Sequence, residues 1–82
     1  MKDERLKELA YIPILEAWKV IHMVQNLDPA GDDEGWRRYC EEHEKFCRIY
    51  NPEGKTNTYG YHLGMAIIEI VDTIKDENRH EV

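Results

Sequence analysis

The chain has 82 residues, 41% of them hydrophobic and 34% charged, with a formal net charge of −6 at pH 7. That much apolar material supports a core and excludes disorder along the whole chain, but the length allows one domain only, near the size at which a single core is marginal. An acidic surface repels phosphate backbones, so direct nucleic-acid binding is disfavoured; solubility, a basic protein partner or a metal cation suits the charge better.

No apolar run approaches the roughly 20 residues that span a bilayer. The first residues, Met1-Lys2-Asp3-Glu4-Arg5-Leu6-Lys7-Glu8, are charged, and no secretory-type apolar region follows them. Cys40 and Cys47 fall seven apart on one expected helix. Two helical turns separate them by about 10 Å, too far for a disulfide. Thiols and a cytoplasmic location are the expectation.

Two turn signals, Asp28-Pro29-Ala30-Gly31-Asp32 and Asn51-Pro52-Glu53-Gly54, divide the chain. The second has the residue order of a type I turn. The first helical segment is expected over residues 2–27. Pro13 removes a backbone donor inside it, so either one helix kinks there or a short charged helix precedes a second one. After Pro13 the segment is apolar on most sides, through Ile14, Leu15, Ala17, Trp18, Val20, Ile21, Met23, Val24 and Leu27. Such a helix is central or is covered by a partner chain.

The second helix is expected over 32–50, capped by Asp32 or Asp33. Trp36, Tyr39, Cys40, His43, Phe46, Cys47 and Tyr50 repeat at helical spacing and define its apolar stripe. Glu41 with Lys45, and Glu44 with Arg48, mark a solvated face.

The third helix is expected over 57–76, capped by Thr56, Asn57 or Thr58. Its stripe is Tyr59, Leu63, Ala66, Ile67, Ile70 and Ile74, with Val71 on the flank. Gly60 and Gly64 each cost about 1 kcal/mol relative to Ala in a helix, which close approach of another backbone would explain. Asn78 to Val82 are expected to fray.

The fold class is therefore all-α: a single three-helix domain over 1–82, with room for an extra short helix before Pro13. Tyr61, Met65 and Ile68 fall off the main stripe of the third helix. They are the expected interface of a homodimer, since large uncovered apolar patches mark interfaces.

Candidate chemistry is sparse. Cys40-x2-His43-x3-Cys47 shares one helix face and has the donor types of a zinc site. Three ligands on one straight helix splay over about 10 Å, so core packing is the preferred reading. The acidic loop from Asp28 to Glu34 lacks the ligand alternation and the terminal bidentate Glu of a calcium loop, and helix capping explains it better. Arg37, Arg38, Lys45 and Arg48 are interleaved with Glu41, Glu42 and Glu44, which cancels most of a phosphate-binding field. The chain contains no serine, and nothing in it has the arrangement of nucleophilic catalysis.

Glu41-x2-Glu44 and Glu69-x2-Asp72 resemble the carboxylate spacing of the all-helical nucleoside-triphosphate pyrophosphohydrolases of the MazG type, and the Ile-rich helix after Pro52-Glu53-Gly54 adds to the likeness. The resemblance covers about half the chain. It implies a dimeric helical bundle in which Glu41, Glu44, Glu69 and Asp72 hold Mg²⁺ against a nucleotide's phosphates.

The preferred reading is a non-enzymatic protein–protein interaction module without a cofactor. In size and style it is the kind of accessory, regulator or inhibitor that phages and mobile elements encode. Its expected partner is a larger cationic, nucleic-acid-binding protein, met by Asp72, Asp76, Glu77 and Glu81. A purely structural subunit is the third reading.

Overall fold

The computed structural model describes residues 1–80, so Glu81 and Val82, and with them the expected role of Glu81 in partner binding, lie outside the described residues. The protein is all-helical. Helix α1 (Asp3–Leu6) passes through a π-helical turn (Lys7–Tyr11) into α2 (Ile12–His22), followed by α3 (Asp33–Tyr50) and α4 (Tyr59–His80).

The backbone stays right-handed helical through both junctions, at Leu6 and at Ile12. Pro13 does not open a new helix after a gap. Just before it the chain widens by one residue, and the Ile12 N–H donates to the Lys7 carbonyl, five residues back. A π turn is the usual way to take a local break in the α-helical ladder without ending the helix. Pro13 itself is buried.

Several expected boundaries shift, α4 opening at Tyr59 and not at residue 57. The first helix ends at His22, and residues 23–26 form turns. Helix α3 begins at Asp33 because Asp32, with φ +55°, closes the loop and accepts the Gly35 N–H on its carboxylate at 3.2 Å. At the other end α4 runs past residue 76, and Asn78, Arg79 and His80, expected to fray, are helical. There the Asn78 side-chain amide donates to the Gln25 carbonyl at 3.3 Å, tying the end of α4 to the turn that follows α2.

Helices α2, α3 and α4 pack pairwise. The core is Ala17, Val20 and Val24 from the first of these and the residues after it, Tyr39 and Phe46 from α3, and Ile67 and Val71 from α4. The α4 stripe is rotated from the expected one: Gly60, Gly64, Ile67 and Val71 are buried, whereas Tyr59 and Ile70 are exposed. The reason is the contact with α3. A Cβ on Gly60 would collide with the Tyr50 carbonyl oxygen, and one on Gly64 would lie 3.1 Å from the Cys47 sulfur. The two glycines therefore pull their own face of α4 against α3, which is the close approach that offsets their poor helix propensity.

The Asn51 turn closes with the Gly54 N–H donating to the Asn51 carbonyl at 3.1 Å. Thr58 is the residue that caps α4, its hydroxyl accepting the Tyr61 N–H at 3.2 Å. In the other loop the Trp36 indole N–H reaches the Asp28 carbonyl at 2.8 Å, holding the turn against α3.

A radius of gyration of 14.1 Å exceeds the roughly 12 Å typical of a compact chain this long. The excess comes from the N-terminal arm. Helix α1 and the π turn touch only each other and α2, and meet neither α3 nor α4. Nine residues of helix project about 13 Å in this way.

Candidate interaction surface

The arm and α2 form one continuous helix with two faces of different fate. Pro13, Ala17 and Val20 point into the bundle and are buried. Leu6, Tyr11, Ile14 and Trp18 point away from it and are 53%, 63%, 59% and 57% exposed; Leu15 is more covered, at 36%. With Lys7 and Ala10 they line one shallow apolar groove. Of the two expectations for this helix, central or covered by a partner chain, the first is not met: its apolar circumference is wider than α3 and α4 together cover.

The spacing explains why these residues share a face. Leu6, Ala10, Ile14 and Trp18 repeat every four residues, and on an ideal helix of 3.6 residues per turn such a row drifts by about 40° per step. The wider π turn takes back part of the drift. At the end of the row the Trp18 ring stacks on His22, with centroids 4.6 Å apart. Residues 1–22 carry four acidic and four basic side chains (Asp3, Glu4, Glu8 and Glu16; Lys2, Arg5, Lys7 and Lys19), so the −6 of the chain resides in the remainder. Arg5 pairs with Glu8 at 3.0 Å and Lys19 with Glu16 at 3.5 Å, all well exposed.

The metal candidates do not converge. Cys40 is exposed, while His43 and Cys47 are partly buried. The Cys47 sulfur lies 3.9 Å from both ring nitrogens of His43, whose Nε2–H donates to the Gly64 carbonyl at 2.9 Å. Burial pushes the Cys47 thiol up from its ordinary pKa, which opposes a metal-binding thiolate. Among the described residues no group of three or more His, Cys, Asp or Glu side chains is gathered as a metal site.

The four carboxylates of the pyrophosphohydrolase resemblance are all exposed. Glu41 is engaged by Arg37 and Glu44 by Arg48 at 3.5 Å. Arg37 also bridges to Glu34, and this bond holds the Glu34 carboxyl below its usual range.

At the C-terminal end Asp72, Asp76 and Glu77 are exposed, and Asp76 pairs with Arg79 at 3.4 Å. Lys75 lies over the Trp36 ring, 4.5 Å from its centroid, and so interrupts the acidic row. Of the three residues expected at a dimer interface, Met65 is exposed and Tyr61 and Ile68 are half-buried.

The continuation of this stripe before Pro13, through Leu6, Ala10 and Tyr11, is the feature that sequence reading left unassigned. The stripe's signal was present in the all-round apolar pattern after Pro13, but the charged start of the chain masked the continuation through Leu6 and Ala10.

Comparison with protein-family models, with curated proteins and with solved structures finds no match to this chain. No helix among the described residues is long and apolar enough to cross a membrane.

Proposed function

We propose that the protein acts by contact, as an acidic helical protein–protein interaction module whose binding surface is the apolar stripe of the N-terminal helix. The observation that carries this reading is the exposure of Leu6, Tyr11, Ile14 and Trp18 along one groove of an 82-residue chain. Contiguous exposed apolar surface of this kind is costly in water and marks sites that another surface covers. The acidic end of α4, through Asp72, Asp76 and Glu77, extends the reading to regulation or inhibition of a cationic partner by charge.

The test is a photo-crosslinking amino acid placed at Tyr11, with the same substitution at exposed Glu53 as control, in cells expressing the protein. Light-dependent covalent protein adducts at Tyr11 and none at Glu53 are expected. Equal, background-level labelling at both positions would overturn the reading.

The pyrophosphohydrolase alternative has less support, because its four carboxylates are spread over exposed positions and two are held by arginines. It predicts release of pyrophosphate from nucleoside triphosphates with Mg²⁺, lost in Glu69→Gln.

A further inference from the structure

We infer that the apolar stripe is covered by a second copy of this chain, the two N-terminal helices lying antiparallel about a two-fold axis near Ile12. This deepens the interaction reading above and rests on it.

Area is the first argument. At about 200 Å² for a fully exposed large apolar side chain, Leu6, Tyr11, Ile14, Leu15 and Trp18 together expose on the order of 500 Å². Pairing two copies removes about 1,000 Å² from water, enough for a specific if small interface. An isologous contact needs a patch that complements itself. An axis near Ile12 sets Leu6 opposite the partner copy's tryptophan at position 18 and Ala10 opposite its isoleucine at position 14, small against large.

Charge selects the direction. Lys7 lies within the stripe itself. Parallel pairing would stack it on its own copy in the middle of the seam, an unscreened like-charge contact. Antiparallel pairing places it over the tryptophan ring at the far end, a favourable cation–π arrangement. Helical spacing puts Glu4, Glu8 and Lys19 along one rim of the stripe. A two-fold axis between antiparallel helices brings like rims together with their order reversed, so Lys19 of each copy falls between Glu4 and Glu8 of the other.

The occupant's chemistry follows from the same residues. The arm and α2 together are neutral, four acidic against four basic side chains, so they attract neither a strongly basic protein nor an anionic lipid surface by charge. The acidic remainder of each copy does not oppose contact at the arm, because charges beyond about 10 Å are screened at ordinary salt. The projection of α1 and the π turn clear of α3 and α4 gives the arm the reach to lie along its partner's α2.

The test is sedimentation equilibrium of the full chain at micromolar concentrations. A species of twice the 9.8 kDa monomer is expected. Ile14→Glu, which replaces an exposed side chain and so leaves the monomer folded by circular dichroism, should weaken association by about a hundred-fold or more. Lys19→Glu should weaken it about five-fold, and Lys19→Glu combined with Glu8→Lys should restore it. A dimer indifferent to Ile14→Glu would place the interface elsewhere, for instance at Met65 and Ile68, and overturn the proposal. So would a monomer at every concentration. In that case a Tyr11 adduct with a different protein would leave the interaction reading standing, and flotation with phosphatidylserine vesicles would assign the stripe to a membrane.

Discussion

His43 donates its Nε2 proton to the backbone carbonyl of Gly64 at 2.9 Å, fastening α3 to α4. A residue with the donor chemistry of a metal ligand is thereby engaged in helix packing. His43→Leu, of similar size, should remove this bond and cost about 1 kcal/mol, read from urea denaturation. An unchanged midpoint would mean that the bond contributes nothing to stability.

The two glycines of α4 should respond differently to alanine. At Gly60 the new methyl group meets the Tyr50 carbonyl oxygen, part of a backbone that cannot yield cheaply. Gly60→Ala should destabilise by about 2–3 kcal/mol despite the better helix propensity of alanine. At Gly64 the obstacle is the Cys47 thiol at 3.1 Å, which can turn aside. Gly64→Ala should stay within about 1 kcal/mol of the parent. Thermal unfolding of the two variants side by side checks the contrast, and the reverse order would refute this account of the α3–α4 contact.

Tyr39 should be the tyrosine slowest to ionise. Burial, assisted by the nearby charges of Cys40, Asp72 and Cys47, pushes its phenol up to about 12 from the usual 10. The folded chain therefore holds this proton more tightly than the unfolded chain. The stabilisation is complete below about pH 10 and is lost as pH rises through about 12. In Tyr39→Phe the alkaline fall in unfolding free energy should be shallower than in the parent across that window. Identical slopes would show that Tyr39 titrates normally.

The two thiols should differ in reactivity. Cys40 is exposed, whereas Cys47 is partly buried, and burial raises its pKa and lowers its thiolate fraction. At neutral pH a maleimide should modify Cys40 at least about ten-fold faster than Cys47 in the native protein, with the difference abolished in denaturant. Peptide mapping after timed quenching gives both rates. Equal native rates would mean that α3 exposes both sulfurs.

How far the sequence alone reaches is clearest in α3. Its stripe is the expected one apart from Cys40, because aromatic residues three and four apart leave little choice of buried face. Helix α4 was less legible. Isoleucines and a valine surround so much of it that periodicity could not say whether Ile70 or Val71 faces inward. The contact of Gly60 and Gly64 with α3 decided for Val71. The carboxylate and cysteine–histidine patterns were visible as spacings, yet spacing is blind to what neighbouring helices present, and here Arg37, Arg48 and the Gly64 carbonyl occupy the groups concerned.

The sequence by itself determined the all-helical class, the turn at Asn51 and the two loops, since these depend on local propensity, period and capping within a few residues. Which way α4 faces, how Pro13 is absorbed by a π turn, and which apolar residues are left over were decided only in the tertiary structure. Burial is a competition among faces for a limited partner surface. Helices α3 and α4 supply enough to cover Pro13, Ala17 and Val20, and the row from Leu6 to Trp18 is what remains uncovered.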